Sequence, residues 1–145
     1  MTPDVNLLVA AYRPDHPHHQ SARAWLDDAV ISAANGRASL IVLGTVVTGF
    51  LRITTHTKIF RQSDALQDVT DFVDTLLSCP GVQFQAHGAT WHALRQVCLA
   101  QQLSGNLLSD AWIASTVLQS GETLCTFDRD FVRLLPASQL LLLQP

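Results

Sequence analysis

The sequence predicts a single α/β domain built on a parallel sheet. Three observations lead there. Short β-like runs alternate with longer helical ones. The length, 145 residues, is that of one domain. A hydrophobic share of 48% against 14% charged residues supplies a buried core and is too apolar for a disordered chain.

The elements follow in order. Met1 to Val5 reads as a first strand ending near Asp4, with a helical turn over Asn6-Leu7-Leu8-Val9-Ala10-Ala11 behind it. Arg13-Pro14-Asp15-His16-Pro17 is a loop, and Pro17 suits a first helical position. Ala22, Trp25, Leu26, Ala29, Val30 and Ala33 recur at helical spacing until Asn35-Gly36 stops the helix. Ala38 to Leu43 is a second strand. Thr45 then caps a helix running to about His56, and Ser63 caps the next. That next helix turns Ala65, Leu66, Val69, Phe72, Val73, Leu76 and Leu77 inward and Asp64, Asp68, Asp71 and Asp74 outward. Pro80-Gly81 ends it, and Val82 to Gln85 is a third strand. Thr90 to about Leu103 is helical, with Trp91, Leu94, Val97, Cys98 and Leu99 inward. After a turn at Leu103-Ser104-Gly105-Asn106, Ser109 caps a helix from Asp110 to Gln119 that Gly121 closes. Glu122 to Thr126 is a fourth strand, Phe131 to Leu134 a short helical turn, and Leu140 to Leu143 a fifth strand.

Composition excludes several classes. No run of about 18 or more apolar residues exists, so no helix is expected to span a membrane. Met1 to Asn6 carries an acid and no basic region, unlike a secretory leader. Cys79, Cys98 and Cys125 lack CxxC spacing. They read as buried free thiols of a reducing, cytoplasmic compartment and argue against a zinc site. The net charge of −3 does not advertise a nucleic-acid partner.

Three acids fall at element junctions. Asp4 ends the first strand, Asp128 follows the fourth, and Asp110 opens a helix after a loop. Open parallel sheets form their sites outside the carboxyl ends of strands, where the strand order reverses. Each acid also has a plainer role: Asp110 as a helix-dipole partner, Asp128 in a turn, Asp4 as a solvated terminal acid. Gathered together, they need a cation. Two unit charges about 4 Å apart repel by about 4 kcal/mol at an effective dielectric of about 20. A hard divalent ion removes that repulsion, favours oxygen ligands and suits phosphodiester hydrolysis.

The segments Pro3-Asp4-Val5-Asn6-Leu7-Leu8, Phe50-Leu51-Arg52-Ile53-Thr54-Thr55-His56, Gly105-Asn106-Leu107-Leu108-Ser109-Asp110-Ala111 and Thr126-Phe127-Asp128-Arg129-Asp130-Phe131 resemble PIN domains. More narrowly, they resemble VapC-type toxins of bacterial toxin–antitoxin pairs, the mycobacterial kind above all. The resemblance runs in order over nearly the whole chain. It implies an α/β/α sandwich with a five-stranded parallel sheet of order 3-2-1-4-5. It also implies a homodimer, a VapB-type inhibitory antitoxin, and a Mg²⁺- or Mn²⁺-dependent endoribonuclease. Asp4, Asp110 and Asp128 match the family's acidic, metal-holding site, Asp130 the second acid of its last motif, and Asn6 and Thr126 polar residues around it. One feature departs. The family usually places a Glu on the helix after strand two; here Gly44-Thr45-Val46-Val47-Thr48-Gly49-Phe50-Leu51-Arg52 carries no acid. Gly49 aligns best with that Glu, and Gly44 is the second choice. The departure leaves open an impaired enzyme or a non-cutting module that keeps the dimer and antitoxin surfaces.

Other features take quieter readings. The outward aspartates of the helix after Ser63 read as a solvated face, and His16, His18 and His19 as exposed loop residues. Trp25, Trp91 and Trp112 read as core. Arg52 and Arg129 suit either a phosphate contact or an ion pair with a site carboxylate. A phospho-accepting aspartate domain would need a lysine beside its acids, and the only one, Lys58, lies far from the strand ends.

Overall fold

The computed structural model describes residues 1–144. Its elements are β1 (Thr2–Pro3), α1 (Val5–Tyr12), α2 (His19–Ala34), β2 (Leu40–Leu43), α3 (Gly44–Thr54), α4 (Leu66–Ser78), β3 (Val82–Gln85), α5 (Trp91–Ala100), α6 (Leu107–Ser120), β4 (Leu124–Thr126) and β5 (Leu140–Leu142). Two 3-10 turns, Arg129–Arg133 and Ala137–Gln139, lie between β4 and β5. Every strand pairing is parallel, as the alternation of strand and helix requires.

The strands do not form one five-stranded sheet. They form a three-stranded sheet of order β1-β4-β5 and a two-stranded sheet of order β2-β3. The reason is local. The N–H groups of Thr2 and Asp4 point to β4, bonding Thr123 O (2.9 Å) and Cys125 O (3.1 Å). The opposite side of the same strand faces β2, and there Met1 supplies two bonds: its nitrogen to Ser39 O (2.8 Å) and its carbonyl to Ile41 N (2.9 Å). The next donor in that row belongs to Pro3, which has no N–H. The ladder between β1 and β2 stops after one residue, so the sheet divides where β1 should join it.

The core sits around α1. Leu7, Leu8, Val9, Ala10 and Ala11 are all buried, as expected of a helix that is apolar on every side. Phe50 and Phe131 are the largest fully buried side chains. Tyr12, Phe50 and Phe72 pack as a ring cluster with centroids 5.0–5.6 Å apart. On α4, Val69, Val73 and Leu76 are buried and Asp68, Asp71 and Asp74 are exposed, so the solvated-face reading holds for those three acids; Asp64 instead precedes the helix, half-buried and paired with Arg13. Ala65 and Leu66, read as inward, are exposed because the helix begins only at Leu66. Gly81 takes φ +78°, and a β-carbon there would sit 2.3 Å from Ala33 O. The turn into β3 therefore requires glycine on both counts.

Several helix starts differ from the sequence reading. Pro17 precedes α2, because the loop closes on itself first: His18 N bonds His16 Nδ1 (3.1 Å) and His19 N bonds His16 O (2.9 Å). α3 follows β2 without a gap, so Thr45 lies inside its first turn and Leu43 is the cap residue. Ser63 is not a cap; α4 starts after Ala65. α6 starts at Leu107, which places Ser109 and Asp110 in its first turn. Thr90 does cap α5, accepting from Ala93 N (3.3 Å). α5 buries none of its residues, and Trp91 and Leu99, expected inward, are 72% and 59% exposed. Trp25 packs against the core and Trp112 is half-buried. The three cysteines are free, but only Cys125 is buried; Cys79 and Cys98 are half-buried. His16, His18 and His19 are also half-buried, with His19 Nδ1 on Ala10 O (2.8 Å).

Arg13 ties the long connection between α3 and α4 to α1. The guanidinium is buried, lies over the Phe60 ring (3.9 Å), and donates to Asp15, Asp64 and Gln62 O. Truncating it strands Asp64 and releases the connection. Arg13→Ala is expected to lower stability by about 2 kcal/mol, less than for a fully buried pair because both acids keep some solvent. Urea denaturation measures this, and an unchanged midpoint would contradict it.

Candidate active site

β1 ends at Pro3, and Asp4 turns the chain into α1. Asp4 is extended (φ −84°, ψ 178°), and its Oδ1 accepts from Leu7 N at 2.6 Å, capping the helix. Its Oδ2 accepts from Thr126 Oγ1 at 2.6 Å, at the end of β4. Thr126 Oγ1 also accepts from Asp128 N (2.8 Å), and Asp128 Oδ1 accepts from Asp130 N (2.8 Å). One threonine hydroxyl thus links the acid of the first strand to the acidic turn after the fourth.

A cleft of about 370 Å³ opens beside this joint. Asp4 and Asn6 line it from the start of α1, Thr45, Thr48, Gly49 and Arg52 from α3, and Asn106, Ser109 and Asp110 from the start of α6. Asp4 and Asp110 therefore meet in one cavity. Asp128 does not line it and joins through Thr126; Asp130 is exposed outside it. Arg52 lines the cleft and Arg129 does not.

The electrostatics follow from burial. Asp4 is 2% exposed. Its carboxyl is pushed up to about 6, chiefly by burial, with the bonds from Thr126 and Leu7 opposing and the charges of Asp128 and Asp110 adding. Burial also holds Asp110 above the usual carboxylate range, with Asp128 and Asp130 adding to the effect. Among the described residues, the ion pairs are Met1–Glu122, Arg13–Asp15, Arg13–Asp64 and Arg23–Asp27, and none includes a site acid. No three His, Cys, Asp or Glu side chains among the described residues stand close enough to enclose an ion by themselves. The donor set is thus hard oxygens in an acidic cleft with room for solvent. That fits Mg²⁺, which takes one or two carboxylates and keeps waters and substrate phosphates. It does not fit an ion held in a full protein cage.

Of the two glycines on α3, Gly49 lines the cleft and Gly44 a neighbouring pocket. A β-carbon at Gly49 would lie 2.7 Å from Val5 Cγ2, so α1 and α3 approach each other through this glycine. Four polar lining residues escape the sequence reading: Thr45, Thr48, Asn106 and Ser109. Two of them, Thr45 and Ser109, had been assigned to helix caps. The signal for them was their register with Gly49, Arg52 and Asp110 on one helix face.

Residues 1–134 match the PIN domain family. The chain is 33% identical over 131 residues to VapC ribonuclease Mb2897 of Mycobacterium bovis, covering 90% of this chain and 86% of that one. It is 33% identical to ribonuclease VapC25 of Mycobacterium tuberculosis (90% and 89%) and 31% identical to ribonuclease VapC31 of the same species (90% and 89%). A family match over residues 1–134, with about a third of the residues identical to these relatives over 90% of the chain, makes this chain a member of the PIN-domain family, related to the VapC ribonucleases.

Proposed function

We propose that the protein is a Mg²⁺-dependent endoribonuclease, with Mn²⁺ as a substitute, acting as the toxin of a toxin–antitoxin pair. The observation that carries this is the meeting of Asp4 and Asp110 in one cleft with no basic partner among the described residues. The full-length kinship to proteins named ribonucleases supports the substrate class. Asp4 and Asp110 would hold the ion directly, and Asp128 would complete its surroundings through Thr126 or a water. Asp130, bonded to Asp128, would steady that turn. When bound, the cation supplies charge stabilisation to a phosphodiester and activation of water. Arg52, exposed at the cleft wall, would take a phosphate oxygen. A homodimer and a VapB-type antitoxin complete the proposal by kinship.

A second reading has its own observation. Gly49 leaves the α3 wall without a carboxylate, so one acid that would orient the attacking water is absent. On this reading the domain keeps its partner surfaces and does not cut.

Cleavage of a single-stranded RNA in Mg²⁺ or Mn²⁺ separates the two. Cleavage is expected, and Asp4→Ala or Asp110→Ala should reduce it about a hundredfold or more. Activity that is absent in the parent, or that survives in both variants, favours the binding module.

Val5 is β-branched and yields little at χ1, so the lost acid is best restored together with space for it. Gly49→Glu combined with Val5→Ala should raise the cleavage rate above that of Val5→Ala alone. No gain would show that this slot is not the site of the missing ligand.

Asp4 also predicts a pH dependence. Its folded value lies above its ordinary one of 3.8, so between about 4 and 6 the folded state holds a proton that the unfolded state lacks. Metal-free stability should therefore fall as pH rises through that window, by about 3 kcal/mol at most from this group. Asp4→Asn keeps both an acceptor for Leu7 and a partner for Thr126, and should flatten that fall. Mg²⁺ should raise the melting temperature at pH 8, and by much less at pH 5. Equal shifts at both pH values would contradict a carboxylate-held cation.

A further inference from the structure

A second pocket opens directly from the acidic cleft. Thr45 and Thr48 belong to the walls of both. The pocket has a volume of about 400 Å³ and is bounded by Phe84 at the end of β3, the 85–88 connection, and Trp112 on α6. Its chemistry differs from the cleft's. It holds two aromatic rings and His87, and no carboxylate.

Two glycines shape it. Gly44 begins α3, and a β-carbon there would meet Phe84 Cζ at 3.4 Å and Ala86 O at 3.2 Å. Gly88 lies close to the indole on its nitrogen side, where a β-carbon would come within 2.5 Å of Trp112 Nε1. The connection after β3 is thus laid across the edge of Trp112 with no side chain between them. Phe84 remains 51% exposed, on a strand whose partner residue in the register, Val42, is fully buried. A phenylalanine left half in water beside an unfilled cavity does not serve the core.

We propose that this pocket receives an unstacked base of single-stranded RNA whose phosphate lies in the adjoining acidic cleft. The inference rests on the ribonuclease reading and adds the subsite that would choose the nucleotide. Recognition of single-stranded RNA proceeds by splaying bases onto aromatic faces and bonding their edges. Phe84 and Trp112 supply the faces, and His87, Gln85 and the Thr45 hydroxyl are polar groups that can reach the base edge; the Thr48 hydroxyl, which donates to Gly44 O (2.9 Å), can act there only as an acceptor. Both regions share a wall, so one nucleotide can engage them together: base in the aromatic pocket, phosphate at the carboxylates. Gly44 takes on a role here that helix formation does not need. It keeps the floor of the pocket open where any larger residue would fill it.

The three tryptophans give three indole N–H signals in a ¹⁵N-labelled sample, and Trp112→Phe identifies the one that matters. Short single-stranded RNA is titrated in Mg²⁺, with an oligomer of abasic ribose phosphates as the comparison. RNA should shift the Trp112 indole and the backbone amides of Arg52 and Asp110, and leave the Trp91 indole in place. The abasic oligomer should shift only the cleft amides. Phe84→Ala should weaken RNA binding about tenfold, and Gly44→Val should abolish the Trp112 shift while leaving the response to Mg²⁺ alone intact. A shift at the cleft amides with no Trp112 response overturns the base pocket and spares the ribonuclease reading. Equal Trp112 shifts by abasic oligomer and RNA overturn it as well. No RNA response at either place removes both.

Discussion

The carboxylate of Asp4 is the constraint around which this fold is arranged. It is buried, and the proposed cation would require it charged. Two hydrogen bonds make that tolerable: Leu7 N from the helix it caps and Thr126 Oγ1 from the strand beside it. Each joins a different element, so the two oxygens of one carboxylate fasten β1 and α1 to β4. The arrangement is only partly compensated. Burial, with repulsion from Asp128 and Asp110 added and no ion pair to a site acid among the described residues, leaves the carboxyl at about 6. A buried acid in that condition costs stability whenever it is charged, which is the signature the proposed site relies on.

The short first strand follows from the same need. β1 has two residues, and Pro3 ends its pairing toward β2. The break leaves the sheet in two parts, joined at Met1 by backbone bonds. It also brings the chain to Asp4 immediately, with no further strand residues between the sheet and the cap. On the far wall, Gly49 lets α3 press against Val5. The cleft therefore lies beside two helices in close approach, and the glycine that permits the approach is the one the proposal's second reading turns on.

Much of this was legible in the chain. Alternating strand and helix patterns located each element, because apolar periodicity survives in the sequence whatever the tertiary partners are. The junction acids were visible for the same reason: a carboxylate between a strand and a helix has a position that pattern alone can assign. What escaped was set by contacts across the fold. The split of the sheet depends on which side of β1 Pro3 faces. The exposure of Trp91 and Leu99 depends on α5 lying at the margin, with only α6 as a close helical neighbour. Thr45 and Ser109 looked like caps, since a threonine or serine at a helix start carries the same signal whether it bonds the backbone or faces a cleft. The separation of Asp128 from the cavity, with Thr126 as the intermediary, is invisible in one dimension.

The central claim is that Asp4 and Asp110 together hold a hard divalent cation. Crystals soaked in Mn²⁺ and measured for anomalous scattering test it most directly. The account predicts one strong peak in the cleft at about 2.1–2.3 Å from a carboxylate oxygen of Asp4 or Asp110, lost in crystals of Asp4→Ala. A peak elsewhere on the surface with the cleft empty, or a cleft peak that persists without the Asp4 carboxylate, would contradict it.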